Sequence, residues 1–327
     1  MTTEKTSVFM IQINENLDIS KYLGFIDRSI SMIKSDELVI FIIEKENKVF
    51  QAKNKTRFFN LIHELLNTIY IISENSKKRY NKADLEVNIV FNEWCGYELF
   101  SEEKNWDKIY IIKEDKCLIE AISFEMKSYV LILSDEDINS FIIKKKKFER
   151  YVKTQIEEES LSYKYVAVGG TFDHLHAGHK ILLTMSAWIS EENVACGVSD
   201  KELLKNKKYA EWIEPIEIRM ESVRKFFYLI NRTLSLSVSP IFDIYGVTII
   251  DDRIGAIVVS QETISGGKLI NEERKRRNMK ELDIFCICII SDEVDSELMS
   301  IKISSTNIRE KIAKKQFKNE LVSEILE

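Results

Sequence analysis

Short apolar runs of strand length alternate with amphipathic helical stretches along the whole chain, and no other feature limits its possible folds so tightly. In the first half, residues 8–13, 38–43, 87–91, 109–112 and 129–133 have the length and composition of strands. The clearest helix between them carries Phe58, Ile62, Leu65, Ile69 and Ile72, spaced by three or four so that one stripe is apolar. The second half predicts strand 165–168, helix 178–189, strand 194–198, helix 215–230 and strand 236–241. Strand 256–259, helix 268–278, strand 284–290 and a last helix after Ser304 follow. Such a sequence of elements calls for an α/β architecture with a doubly wound parallel sheet, preceded by a second α/β domain. Pro215 opens its helix where a missing N–H costs little, and Ile216, Met220, Val223, Phe227 and Ile230 mark the buried face.

The two halves differ in punctuation. Eight of the ten glycines lie between Gly169 and Gly267, and both prolines, Pro215 and Pro240, fall in the same stretch. Ahead of it stand four lysines at 144–147 and three glutamates at 157–159, a charged segment that reads as a helical connector. A chain of 327 residues suits two domains. The boundary is placed at 160, giving an N-terminal α/β domain (1–160) without an active-site signature and a second domain (161–327).

Composition excludes several classes. With 45% hydrophobic and 31% charged residues the chain is neither disordered nor fibrous, and a net charge of -6 disfavours sequence-independent binding to nucleic acid. Any anion site is therefore local. The longest apolar runs fall far short of the roughly 20 residues of a membrane helix, so no membrane partner is expected. The polar opening residues, with Glu4 and Lys5, lack the pattern of a secretory signal, which predicts a cytoplasmic location. Five cysteines form no disulfide framework. Cys286 and Cys288 share one face of a strand, and without a nearby histidine or second cysteine pair, core packing is a better reading than metal binding.

Three of the four histidines, His174, His176 and His179, fall within six residues, directly after a predicted strand and among Gly169, Gly170 and Gly178. The strand delivers this segment to the carboxyl edge of the sheet, where open α/β folds bind ligands, and the following helix points free N–H groups at the same crevice. Glycine lets the backbone approach an anion, and Thr171 adds a hydroxyl. Two histidines three residues apart at a helix start face one side and suit phosphate oxygens. As zinc ligands they are incomplete, lacking a matching third ligand, and no metal ligands are assigned; helix capping is the other bland alternative.

Near the C-terminus, Ser304, Ser305 and Thr306 precede a helix with Arg309 one turn on, a pattern that serves equally as an ordinary N-cap or as a phosphate site. Lys205, Lys207 and Lys208 follow another predicted strand and read either as a solvated loop or as part of the anion site. Arg274 to Arg277 read as a charged helix face, with one arginine reaching a phosphate as the alternative.

The run Gly169-Gly170-Thr171-Phe172-Asp173-His174-Leu175-His176-Ala177-Gly178-His179 resembles the signature of the HxGH nucleotidyltransferase superfamily, and residues 302–309 resemble its second motif. Together with 199–211 and 258–271, residues 163–312 are most similar to the eukaryotic and archaeal form of phosphopantetheine adenylyltransferase. That resemblance implies a Rossmann-like fold and transfer of the adenylyl group of ATP to 4'-phosphopantetheine in coenzyme A biosynthesis. It implies ATP binding by Gly169, Gly170, Thr171, Phe172, His176, Gly178 and His179. Ser260, Glu262, Thr263 and Asn271 would line the adenine and ribose side, and Ser304, Ser305, Thr306 and Arg309 the phosphates. Thr171 with Lys205 or Lys207 would hold the acceptor phosphate, and His176, His179, Thr171 and Lys205 would carry the catalytic work. Magnesium is expected to accompany ATP.

The sequence departs from the bacterial enzymes, which carry Thr or Ser where His176 stands and an arginine-bearing segment in place of 260–271, so arginine roles do not transfer. No Walker motif accompanies the domain, which predicts a monofunctional enzyme, with monomer and dimer both open. Two rival readings stand beside this one: a nucleotidyltransferase for another phosphorylated acceptor such as nicotinamide mononucleotide, or with CTP a phosphorylated alcohol; and a non-catalytic ATP-binding scaffold.

Overall fold

The computed structural model describes residues 4–137, 162–288 and 304–326. The chain divides into two units, Met1–Leu161 and Ser162–Glu327. The connector expected at 144–159 lies outside the described residues.

In the first unit β1 (Lys5–Ile13), β2 (Glu37–Glu44), β3 (Glu86–Phe91), β4 (Asn105–Ile112) and β5 (Val130–Leu133) form a parallel sheet in the order β3-β2-β1-β4-β5. Its central strand is a continuous apolar run, with Val8, Phe9, Met10 and Ile11 buried, as a strand covered on both faces must be. Two helices cross over: α1 (Leu23–Met32), which buries Phe25, Ile26 and Ile30, and α2 (Phe59–Arg79), which buries Ile62, Leu65, Leu66 and Ile69. Beyond β4 the crossover is made of short 3-10 segments, Lys113–Ala121 and Glu125–Tyr129, rather than a long helix.

The second unit repeats the plan. Strands β6 (Tyr163–Gly170), β7 (Ser190–Ser199), β8 (Ser235–Ile241), β9 (Ile254–Ser260) and β10 (Asp283–Ile287) form a parallel sheet in the order β10-β9-β6-β7-β8. The helices are α3 (Ala177–Trp188), the single turn α4 (Lys201–Leu204), α5 (Ile216–Ile230), α6 (Ile264–Arg276) and α7 (Ser305–Leu326). The chain winds from β6 through β7 to β8, then returns to lay β9 and β10 on the other side. The strand order therefore reverses between β6 and β9, and the crevice of such a sheet opens outside their carboxyl ends.

Local chemistry accounts for the departures from the sequence expectations. Helix α6 starts at Ile264, ahead of the predicted 268, and so takes in Gly266 and Gly267 despite their poor helix propensity. A Cβ at Gly267 would lie 3.3 Å from Ile284 of β10, so packing against the sheet calls for glycine there. Pro215 stands at the N-cap of α5, and the buried face includes Arg219 as well as Val223, Phe227 and Ile230, while Ile216 and Met220 are half-buried. β10 ends at Ile287, which leaves Cys286 half-buried and Cys288 exposed; core packing of both thiols is corrected accordingly. Residues 289 and 290 of the predicted last strand lie outside the described residues. Among the described residues no helix is long and apolar enough to cross a membrane.

Candidate active site

β6 leaves the sheet through Gly169 and Gly170 and turns sharply. Phe172 and His174 take left-handed φ values of 50° and 45°, which fold the buried Phe172 ring back over the strand end. A Cβ on Gly170 would sit 3.2 Å from that ring, so the second glycine makes room for the turn. Asp173, between the two strained residues, is fully buried.

His176 then caps α3, its Nδ1 accepting from the Gly178 N–H at 3.1 Å. A neutral ring that accepts at Nδ1 carries its proton on Nε2. That Nε2 lies 3.4 Å from Ser305 Oγ at the start of α7, and the Ser305 hydroxyl donates to the Asp173 carbonyl at 2.9 Å. His179 stacks on His176, with ring centroids 3.9 Å apart and planes 22° apart, and the tilted Phe172 ring lies 5.3 Å from it. The Nδ1 of His179 is enclosed yet makes no hydrogen bond within the protein.

Burial pushes His176 down to about 4, opposed by Asp173 and helped by Lys180 and His174 nearby. Burial, His176 and Lys207 hold His179 well below its ordinary value. At neutral pH the pair is thus two uncharged imidazoles, each with one N–H to donate, at the positive end of a helix of 12 residues. Lys205 and Lys207 are both exposed; Lys205 pairs with Glu202 at 2.5 Å within its own turn, whereas Lys207 acts electrostatically on His179.

Several residues that sequence reasoning passed over hold this arrangement. Asp173 accepts from the Glu214 N–H at 2.9 Å and from Arg309 Nη1 at 2.6 Å. Glu214 accepts the His174 N–H at 2.7 Å, and the His174 ring meets the Trp212 carbonyl at 3.1 Å. Arg219, 1% exposed, donates to the carbonyls of Thr171, Ser199 and Glu214 and so ties the ends of β6 and β7 to α5. The signal for Arg219 was an arginine on an apolar helical stripe. Ligand atoms of Asp173, His174 and Glu214 lie within 4.8 Å of one another, but Arg309 and backbone amides already occupy these carboxylates, so the trio fits a brace better than a cation site.

Across the crevice β9 ends at Ser260, which forms a capping box with Thr263, and Glu262 lies exposed on the same turn. Ser304 caps α7 by accepting the Asn307 N–H at 3.3 Å, leaving Ser305 and Thr306 half-buried at the helix start. Two residues do not join the cluster as free ligands. Asn271 lies two turns into α6, where its amide exchanges two 2.8 Å hydrogen bonds with the Leu282 backbone, at the edge where β10 begins rather than where the strands end. Arg309 is inside the cluster, but its guanidinium is engaged by protein groups.

The chain matches the family described as Cytidylyltransferase-like over residues 167–311. It is 33% identical over 322 residues to an uncharacterized protein of Schizosaccharomyces pombe, covering 96% of this chain and 99% of that one. The phosphopantetheine adenylyltransferase of Methanothermobacter thermautotrophicus is 40% identical over 147 residues, 45% of this chain and 84% of that one. The phosphopantetheine adenylyltransferase of Saccharomyces cerevisiae is 31% identical over 246 residues, 75% of this chain and 76% of that one. A relationship spanning that much of both proteins, with a histidine pair at the switch point of a doubly wound sheet, shows that this chain belongs to the phosphopantetheine adenylyltransferase family and is a nucleotidyltransferase.

Proposed function

We propose that this site transfers the adenylyl group of ATP to 4'-phosphopantetheine, giving dephospho-coenzyme A and pyrophosphate. The observation that carries the reading is the stacked, uncharged histidine pair at the start of α3, with the Nδ1 of His179 enclosed and unpartnered within the protein. A buried polar atom without a partner is costly unless a ligand completes it. The names of the yeast and archaeal relatives support the acceptor.

In the reaction an oxygen of the acceptor phosphate forms a bond to the α-phosphorus while the bond to the bridging oxygen breaks, and pyrophosphate leaves with both electrons of that bond. No protein group becomes covalently attached. Rate then comes from alignment and from donors that meet charge as it develops. His176 and His179 would donate to the triphosphate, Ser305 and the α7 N-terminus would hold it from the other side, and Lys207, with Thr171, would anchor the acceptor phosphate. Magnesium, when bound with ATP, would neutralise phosphate charge. With Asp173 committed to Arg309, substrate oxygens and water, rather than a protein carboxylate, would hold the ion.

The test incubates the protein with ATP, magnesium and 4'-phosphopantetheine and measures pyrophosphate. Parallel reactions carry nicotinamide mononucleotide, or CTP with a phosphorylated alcohol. Release only with a different acceptor overturns the acceptor, and release with none overturns catalysis.

A further inference from the structure

Arg309 stands one turn into α7, where an arginine aimed at phosphate is expected, yet its guanidinium has little left to offer a ligand. The side chain is 2% exposed. Nη1 donates to Asp173 Oδ2 at 2.6 Å, Nε to the Lys208 carbonyl at 3.1 Å and Nη2 to Thr306 Oγ1 at 3.2 Å. All three nitrogens are engaged, and the charge faces a fully buried carboxylate.

The three contacts fall on three segments, and each adjoins a group that acts on the histidine loop. Asp173 lies in the histidine loop, and its carbonyl receives the Ser305 hydroxyl. Lys208 follows Lys207, whose ammonium influences His179. Thr306 follows Ser305, which lies beside His176 Nε2.

We infer that Arg309 is a positioning residue rather than a phosphate ligand: paired with Asp173, it latches the start of α7 and the 205–209 turn onto the histidine loop, so that Ser305 is held toward the triphosphate while Lys207 is held toward the acceptor phosphate. This rests on the functional reading above. It makes Asp173 as important to the reaction as Arg309, although neither touches substrate. Asp173→Asn keeps the shape but removes the negative partner, so the site gains a net positive charge while the latch loosens. ATP then binds more tightly and reacts more slowly, a split that loss of a phosphate ligand does not produce.

The experiment compares the full chain with Asp173→Asn, Arg309→Gln and the double variant, using ATP calorimetry with magnesium, pyrophosphate release, thermal melting and hydrogen exchange of 205–209. In Asp173→Asn the Kd for ATP is expected to fall by a few fold and kcat by roughly tenfold or more. Arg309→Gln leaves Asp173 buried without its partner and lowers the melting temperature; adding Asp173→Asn restores most of that loss. In the double variant the 205–209 amides exchange faster while the Kd for ATP stays within about threefold of wild type. A folded double variant that loses roughly tenfold or more in ATP affinity makes Arg309 a phosphate ligand and overturns the inference. So do unchanged exchange in 205–209 or an unchanged kcat in Asp173→Asn. Wild-type protein that binds ATP but releases no pyrophosphate with any acceptor fails the functional reading alone, because exchange, melting and the affinity comparison still test the latch.

Discussion

The two units share one strand order and differ in what stands at the point where that order reverses. In the second unit the crevice beyond β6 and β9 holds two glycines, a stacked histidine pair and an imidazole nitrogen awaiting a partner. In the first, the equivalent place beyond β1 and β4 is closed by side chains. The Tyr22 hydroxyl bridges the Gln12 backbone and the Asp115 carboxylate, and Lys21 pairs with Asp115 at 2.9 Å. Burial, with Asp115 beside it, pushes the Tyr22 phenol far above its ordinary value, so it stays a neutral hydrogen-bonding plug. A doubly wound topology thus supplies a crevice at each switch point, and local residues decide whether it is a site or a seam.

The sharpest way to break this contrast is to remove one group from each crevice. His179→Ala is expected to cut turnover by about a hundredfold to a thousandfold, the range for losing a donor that meets transition-state charge, while the protein still folds. Near-normal pyrophosphate release by the folded variant would return the histidine pair to a capping role.

Asp115→Asn or Tyr22→Phe in the first unit is expected to do the reverse. Either change removes a hydrogen bond to a buried charged group and should lower unfolding stability by about 1.5–3 kcal/mol in urea titrations, with turnover within twofold of wild type. A large loss of activity without loss of stability would mean that the first crevice is a site after all.

Within the second crevice the lysines sharpen the comparison further. Lys207→Ala is expected to raise KM for the phosphorylated substrates by roughly tenfold, whereas Lys205→Ala, which removes only an exposed pair with Glu202, should change it by less than about twofold. Equal effects would mean that the loop acts as diffuse charge.

How much of this was legible beforehand follows from the range of the interactions. The parallel sheets were readable because each buried strand announces itself as a continuous apolar run, and the histidine cluster because its residues are neighbours in sequence. The conformation of the 205–209 turn was not, because it depends on Tyr209 in a left-handed conformation and on the Lys208 carbonyl bonded to Arg309. The commitment of Arg309 to Asp173 spans 136 positions, and no local pattern encodes it. Asn271 stands apart from the cluster for a geometric reason: seven residues along a helix is roughly 10 Å, enough to carry its amide from the carboxyl edge of the sheet toward the opposite one.

The smallest expected effect is a pH dependence of stability that only the second crevice should show. His176 titrates at about 4 in the folded chain, against roughly 6.5 when unfolded. Between those values the unfolded chain binds a proton that the folded chain refuses, so the stabilisation is complete above about 6.5 and is lost as pH falls toward 4. His179, also held low, adds in the same direction. Melting temperature should therefore drop across this window, with a shallower drop in His176→Asn, read as the difference between the two profiles. Saturating ATP with magnesium should flatten the wild-type profile, because phosphate oxygens beside the imidazoles favour their protonated forms and raise both titrations toward the unfolded value. A profile unchanged by ATP would argue that the triphosphate binds away from the histidines, and would leave both crevices as seams.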